Sequence, residues 1–199
     1  MERNLQMEKP PILKTQRLLL RGFREDDAQA LFEILSDVQV NRFLPMFPLE
    51  SLDQAKAYLK EHYLDSPDGW HYAVCLQETG VPVGYLHVSA QESHDLGYGL
   101  RKDYWHRGIM TEAGRAVVEM LRCTDLPYIT ATHDVNNPHS GAVMRKLGMT
   151  YRYSYVEQWQ PKNFPVTFRM YQLNLDGQEG RVYRKYWDQY PEHFIEENL

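Results

Sequence analysis

Hydrophobic residues change their spacing along the chain, and each change predicts a new element. They alternate with polar residues in Thr15 to Phe23, Trp70 to Gln77 and Val81 to Ser89, which is typical of strands. Between Glu112 and Arg122 they recur every three or four positions, which predicts an amphipathic helix. By the same criteria we expect helices from about Ala28 and Ser51, and strands near 95–101, 128–133, 149–159 and 168–175.

Helix ends carry recognisable signals. Asp26, with Gln29 three residues later, resembles a capping box, and Ser51 stands in the same relation to Gln54. Asn137 followed by Pro138 opens a helix in the preferred way, and Gly148 is suited to close it. The chain therefore alternates between strands and helices throughout its middle part.

An aromatic stripe marks the C-terminal segment. Tyr183, Tyr186, Trp187 and Tyr190 recur at helical spacing. We expect them to pack against the surface of their own domain. The alternative is a contact between two copies of the chain, which would make a homodimer.

Length and charge narrow the class of protein. The 199 residues favour one domain, which we place at 15–176 between an N-terminal extension (1–14) and a C-terminal tail (177–199). The net charge is −5, and because no basic block is present a nucleic-acid binder is disfavoured. No apolar run is long enough for a membrane span, so we expect a cytoplasmic protein.

Cysteine and histidine are sparse and scattered. Cys75 and Cys123 lie far apart, which argues against a disulfide scaffold, and we expect both to pack in the core. The eight histidines form no metal-ligand motif, so we expect no metal.

The stretch from Leu96 to Ala116 predicts an anion site. A strand ends, a short basic loop containing Gly108 follows, and an amphipathic helix begins near Thr111. Free N–H groups at a helix start favour phosphate, and Arg107 or Arg101 would add positive charge. Many strand-to-helix loops contain one glycine, so an ordinary structural turn is the alternative for this motif alone.

A second constellation lies at Asn137 and Ser140. Ser140 shares a helical stripe with Val143, Met144 and Leu147, so its hydroxyl should point inward. There it would bond either to the preceding turn or to a ligand atom. Asn137 should cap the helix, which leaves hydrogen-bonding groups of its side-chain amide free to bind a ligand.

In this order the motifs resemble a family. TQRLLLRGF, LGYGLRKDYWHRGIMTEA, NNPHSGAVMRKLGM and FRMYQLNL together are similar to the GCN5-related N-acetyltransferases (GNAT), specifically the ribosomal-protein-alanine acetyltransferase (RimJ/RimL) branch. The resemblance implies an α+β domain with a mixed, mainly antiparallel sheet flanked by helices. It also implies that acetyl-coenzyme A (acetyl-CoA) lies where two neighbouring strands splay apart.

The resemblance assigns roles to individual residues. The pyrophosphate loop matches His106, Arg107, Gly108, Ile109, Met110 and Thr111. Leu100 and Arg101 match the strand end that runs beside pantetheine and polarises the thioester carbonyl. Asn137 matches a coenzyme-contacting asparagine, Ser140 the serine near the sulfur, and Asp95 an acidic position that makes it the candidate general base through water.

Three positions depart from the family pattern. Met110 stands where a small residue is usual, His106 replaces a glycine, and Met144 replaces a tyrosine that serves as general acid. Ser140 or water would then act as the general acid. The expected function is transfer of an acetyl group from acetyl-CoA by direct attack to a primary amine, either a protein N-terminal α-amine or a small-molecule amine. The alternatives are an acyl-CoA binding or sensing module without catalysis, and an interaction protein that uses the aromatic stripe.

Overall fold

The computed structural model describes residues 10–66, 68–197 and 199. Residues 1–9, most of the predicted N-terminal extension, lie outside the described part. The strands are β1 (Leu13–Lys14), β2 (Leu18–Gly22), β3 (Trp70–Leu76), β4 (Pro82–Val88), β5 (Leu96–Leu100), β6 (Tyr128–Asp134), β7 (Thr150–Trp159), β8 (Phe164–Asn174) and β9 (His193–Phe194). The α-helices are α1 (Ala28–Leu35), α2 (Val38–Asn41), α3 (Leu52–Leu59), α4 (Ile109–Leu121), α5 (Pro138–Lys146) and α6 (Lys185–Gln189).

The strands form two antiparallel sheets that meet at one point. One sheet has the order β1-β2-β3-β4-β5 and the other β6-β8-β7-β9. They join through a parallel bridge between Asp95 and Thr130, beside which the Thr130 hydroxyl donates to the Ser93 carbonyl at 2.9 Å. No strand ladder continues between β5 and β6 beyond this point in the described residues, so the two strands part and leave a gap.

Helices cover both faces of the first sheet. On one face, α4 buries Ala113, Val117 and Leu121 in a core shared with β2, β4 and β6. On the other face, α1 and α3 bury Leu31, Ile34 and Leu59. The predicted α+β fold with a mainly antiparallel sheet flanked by helices is therefore confirmed.

Helix ends agree with the sequence in two cases and differ in a third. Ser51 caps α3 by accepting from the Gln54 N–H at 3.2 Å, and Asn137 caps α5. At α1 the predicted Asp26 cap is wrong, because Asp27 instead accepts from the Arg24 N–H at 2.8 Å. Asp27 is buried against Arg21, which donates to both of its carboxylate oxygens at 2.7 and 2.8 Å.

The C-terminal segment packs on the second sheet. Tyr155 of β7 stacks against Tyr186 and Tyr190 at ring-centroid distances of 5.2 and 4.9 Å. Tyr183 is buried, and β9 pairs with β7. The expectation that the aromatic stripe packs on its own domain is confirmed. Within the described ranges, no helix is both long enough and apolar enough to cross a bilayer.

Candidate active site

The gap between β5 and β6 exposes backbone groups of β5. The Arg101 N–H donates to the Val83 carbonyl of β4, and the Asp95 carbonyl accepts from the Ser89 N–H on the same side. Alternate residues of an antiparallel strand point their backbone groups to opposite sides. The N–H groups of Tyr98 and Leu100 therefore face the gap, where an extended ligand could pair with them.

The start of α4 lies beside this gap and offers free donors. Gly108 caps the helix in the left-handed region, at φ +72°, and no side chain caps it. The N–H groups of Ile109, Met110 and Thr111 have no hydrogen-bond partner within the described part of the chain. A helix start with free donors is suited to phosphate. The helix begins two residues earlier than predicted, which brings these donors into the loop that the sequence singled out.

A set of polar contacts braces this loop. Arg17 donates to the Arg107 carbonyl at 2.9 Å, and its Nε donates to Glu112 at 2.7 Å. Glu112 also accepts from Thr15 at 2.5 Å. Partial burial raises the pKa of Glu112, but these hydrogen bonds together outweigh it and hold the pKa below its ordinary value. The loop is thus braced by the turn that connects β1 and β2.

The three departures from the family pattern have structural explanations. His106 adopts φ +59°, the left-handed conformation that glycine takes freely, and its ring lies against His139 at 4.8 Å between centroids. Met110 and Met144 are 5% and 1% exposed and belong to the core. Because both side chains pack in the core, neither supports a module whose amine cleft is blocked.

Ser140 meets a partner that the sequence did not single out. Its hydroxyl donates to the Tyr98 hydroxyl at 3.0 Å, and the Tyr98 hydroxyl donates to the Ser140 carbonyl at 2.8 Å. Asn137 accepts from the Ser140 N–H at 3.4 Å. Burial raises the pKa of Tyr98 far above its ordinary value, so this phenol stays protonated. Ser140 therefore lies across the gap from β5, tied to it through Tyr98.

Asp95 lies at the closed end of the gap. Burial, and next the charge of Asp68, raises the pKa of Asp95 to about 7. One of its oxygens lies 3.9 Å from Nε2 of His87, whose pKa burial lowers to about 4. A carboxyl with a pKa near neutrality is suited to accept and release a proton.

Asp95 directly precedes β5, and Leu100 is the last residue of that strand. Five steps along an extended chain, at 3.3 Å each, separate the two residues by about 16 Å. The structure therefore does not bring the candidate base into contact with the strand end, and a water chain is needed between them. Gly97 and Gly99 lie between, where the rings of His87 and Tyr85 cover the strand so closely that a Cβ at either glycine would collide with them.

The charged and reactive side chains near the strand end are engaged elsewhere. Arg101 pairs with Glu33 of α1 at 2.8 Å and stacks on Tyr104, so its side chain turns away from the gap. The Leu100 carbonyl accepts from the indole N–H of Trp105 at 2.8 Å. Arg107 also lies over Tyr104 and is exposed.

The two cysteines lie in different environments. Burial raises the pKa of Cys75 to about 11, so this core thiol is a poor nucleophile. Cys123 is exposed, which corrects the expectation that it packs in the core. Within the described residues, no three His, Cys, Asp or Glu side chains are grouped to hold a metal ion.

Comparison with known proteins agrees with this arrangement. The model of a family described as "Acetyltransferase (GNAT) domain" matches residues 17–150. The chain is 28% identical over 141 residues to an uncharacterised N-acetyltransferase of Bacillus subtilis (strain 168), YnaD, covering 69% of this chain and 81% of the relative.

Solved structures share the fold. An acetyltransferase of the GNAT family from Bacillus anthracis superimposes with a TM-score of 0.73 at 21% identity, covering 83% of this chain and 99% of that one. The ribosomal L7/L12 α-N-protein acetyltransferase RimL, solved with coenzyme A, gives a TM-score of 0.67 at 20% identity, with coverage of 83% and 99%. At these identities the likeness concerns the fold alone.

Proposed function

Because this chain belongs to the GNAT acetyltransferase family and is an N-acetyltransferase, we propose that it moves an acetyl group from acetyl-CoA to a primary α-amine by direct attack. The observation that carries this proposal is the row of free N–H groups at the start of α4, next to the gap between β5 and β6. We also propose that the chain belongs to the RimJ/RimL branch, which is supported by Ser140 on the inner face of α5.

The phosphates of acetyl-CoA bind to the backbone of residues 106–111. The N–H groups of Gly108 to Thr111 point out of the helix start, and the helix dipole adds attraction for negative charge. A Cβ at Gly108 would find only the end of the Arg17 side chain, at 3.7 Å, so the surface there is open to a ligand. The residues present therefore fit a diphosphate.

The acyl end of the donor lies in the gap, beside Leu100. When bound, acetyl-CoA supplies a thioester, an acyl group already activated for attack. The Leu100 N–H points into the gap and would donate to the carbonyl oxygen as that oxygen gains negative charge. Asn137, at the start of α5, uses the N–H groups of its side-chain amide to bind acetyl-CoA from the other side of the gap.

The amine must lose a proton before it attacks. Deprotonation at pH 7 costs about 1 kcal/mol for an α-amine and roughly 4 to 5 kcal/mol for a lysine side chain. Asp95 is a single base that acts through water, so the site is suited to an α-amine. Its raised pKa lets it receive the proton near neutral pH.

Ser140 passes a proton from water to the departing thiolate, so that its own hydroxyl is restored as the thiol leaves. Its hydroxyl already donates to Tyr98, so a small rotation redirects that proton toward a sulfur in the gap. Tyr98 is a positioning residue, because its hydroxyl holds the Ser140 carbonyl at 2.8 Å. Met144 has no acidic proton, so no other residue of the inner stripe of α5 competes for this role.

Thiol release in the presence of a panel of amines tests the proposal. We expect acetyl-CoA-dependent release that requires an amine, with α-amines favoured over lysine side chains. A binding or sensing module would instead show thermal stabilisation by acetyl-CoA without turnover of any amine. That result would overturn the proposed reaction while leaving the donor site intact.

A further inference from the structure

Two glycines let aromatic rings of β4 lie directly on β5. Gly97 and Gly99 are two positions apart, so the same face of the strand lacks both side chains. Each glycine pairs across the strands with a ring of β4, Gly97 with His87 and Gly99 with Tyr85. The Tyr85 hydroxyl lies 2.7 Å from the position that a Cβ of Gly99 would take. Both rings therefore rest on the backbone of β5.

The two rings occupy the interval between the strand end and Asp95. Leu100 directly follows the glycine that lies under Tyr85. Asp95 stands two positions before the glycine that lies under His87, and so points to the same face. The order along this face is therefore the strand end, the Tyr85 hydroxyl, the His87 imidazole and the Asp95 carboxylate.

The far end of this row is deep and still open to solvent. His87 and Asp95 keep 33% and 29% of their side-chain surface accessible, although burial shifts the pKa of both groups. Such side chains lie on the floor of a cleft. Oδ1 of Asp95 is enclosed, whereas Oδ2 lies 3.9 Å from Nε2 of His87. This distance is about 1 Å longer than a hydrogen bond, so a small rotation of either side chain joins the two atoms.

Two other titratable groups face His87, and each is enclosed or engaged. His71 of β3 pairs with His87 across the strands at 5.9 Å between ring centroids, but neither of its nitrogens is accessible. Asp68, in the segment before β3, accepts from the Ser89 hydroxyl at 3.0 Å. Asp95 is therefore the carboxylate toward which an imidazole nitrogen of His87 points.

The phenols beside the row keep their protons at neutral pH. Burial raises the pKa of Tyr85, and it raises the pKa of Tyr63, whose ring lies 6.1 Å from that of Tyr85. The Tyr85 hydroxyl has no hydrogen-bond partner within the residues that the structure describes. A hydroxyl can accept one proton while it donates its own, so Tyr85 can pass a proton along the row without becoming charged.

We propose that Tyr85 and His87 form a proton relay over β5 that carries the proton of the acceptor amine to Asp95. This inference rests on the proposed function, since it supplies the path by which that reaction reaches its base.

The steps of the relay balance. The ammonium group of the acceptor gives a proton to the Tyr85 hydroxyl, which passes its own proton through water to Nδ1 of His87. Nε2 of His87 gives its proton to Oδ2 of Asp95, so the amine becomes neutral and the carboxylate becomes a carboxylic acid. Exchange with water in the cleft then restores the carboxylate and the original imidazole tautomer.

The pH dependence of matched histidine variants tests the relay. For an α-amine acceptor, whose own pKa is about 7.8, His87→Gln should lower kcat/KM at least tenfold at pH 7. At pH 9 the loss should be less than threefold, because bulk water has already deprotonated the amine. The KM of acetyl-CoA should change little. His71→Gln, at the cross-strand neighbour whose nitrogens are enclosed, is the control and should change kcat/KM less than threefold at both pH values.

A second pair of variants removes only a hydroxyl. Tyr85→Phe keeps the ring on β5 and should show the same loss at pH 7 and recovery at pH 9. Tyr72→Phe removes a buried, enclosed hydroxyl on the other face of the first sheet and should show neither. Because Tyr85 and His87 act in series, the double variant should lose less than threefold beyond the more impaired single variant.

The outcomes separate this inference from the proposed reaction. If the wild type acetylates amines but His87→Gln loses the same factor at pH 7 and pH 9, or no more than His71→Gln, the reaction stands and the relay is refuted. If His87→Gln does not fold, Tyr85→Phe decides by the same criterion against Tyr72→Phe. If the wild type releases no thiol with any amine, the proposed function fails and the relay fails with it.

Discussion

Asp95→Asn should stabilise the fold in a pH-dependent way. The wild-type carboxyl lies among Asp68, His87 and the aromatic side chains of α6, and burial disfavours its charged form. A carboxyl whose pKa is raised by folding is protonated in both states at low pH, where it has no effect on stability. As the pH rises, Asp95 ionises first in the unfolded chain, because its pKa is lower there. The folded state therefore loses stability with rising pH until Asp95 ionises in the folded state as well.

The size of the effect follows from the pKa. Folding raises the pKa of Asp95 from 3.8 to about 7, and each unit corresponds to about 1.4 kcal/mol. Between pH 5 and pH 8 the penalty therefore grows by at most about 2.8 kcal/mol, over the two units up to pH 7. The side chain is 29% exposed, so water screens part of the penalty. About half of the maximum, roughly 1.4 kcal/mol, is expected.

Urea denaturation of wild type and Asp95→Asn at pH 5 and pH 8 measures this difference. The stability advantage of the variant should grow by roughly 1.4 kcal/mol between the two pH values. Asp53→Asn, at a side chain that is 90% exposed, is the control and should show no such growth. An advantage of Asp95→Asn that is the same at both pH values would refute the claim that burial raises the pKa of this carboxyl.

Three further predictions concern other contacts. Ser140→Ala should lower kcat about a hundredfold, as removal of a general acid does, and Tyr98→Phe should lower kcat less. Both variants should change the KM of acetyl-CoA little. Full turnover of Ser140→Ala from pH 6 to pH 9 would refute the assigned role. Asp27→Ala should cost about 3 to 5 kcal/mol in urea denaturation because Arg21 is left buried without its partner, whereas Asp26→Ala, which is exposed, should cost little. His106→Gly should keep the affinity for coenzyme A within twofold, since glycine adopts φ +59° freely, while a large loss in calorimetry would mean that the imidazole itself contacts the ligand.

Elements with a regular period were predictable from the sequence. The alternation in Trp70 to Gln77 and Val81 to Ser89 gave the β3-β4 hairpin, and the helical spacing after Thr111 gave α4. Both patterns arise because one face of each element is buried. Boundaries were less accurate, since Pro165 lies inside β8 rather than in the preceding loop.

Contacts between distant residues were not predictable. Tyr98 and Ser140 are 42 positions apart, and Asn41 and Lys162 are 121 apart, so no local spacing connects them. A signal for Tyr98 was nonetheless present: it alternates with Leu96 and Leu100 on a buried face, and a buried phenol needs a hydrogen-bond partner. The role of Asp27 was not predictable from the spacing of 26–29, because its carboxylate is held by Arg21, which reaches it from β2.

The binding of coenzyme by the start of α4 is the central claim, and a pair of glycine variants tests it most directly. Gly108 and Gly177 have φ values of +72° and +77°, and neither has protein backbone near its missing Cβ, so valine imposes similar strain at both. Calorimetric titration with acetyl-CoA should give one saturable site in the wild type, unchanged affinity in Gly177→Val and at least tenfold weaker binding in Gly108→Val. No saturable signal in the wild type at millimolar acetyl-CoA, or equal binding by all three proteins, would contradict the claim.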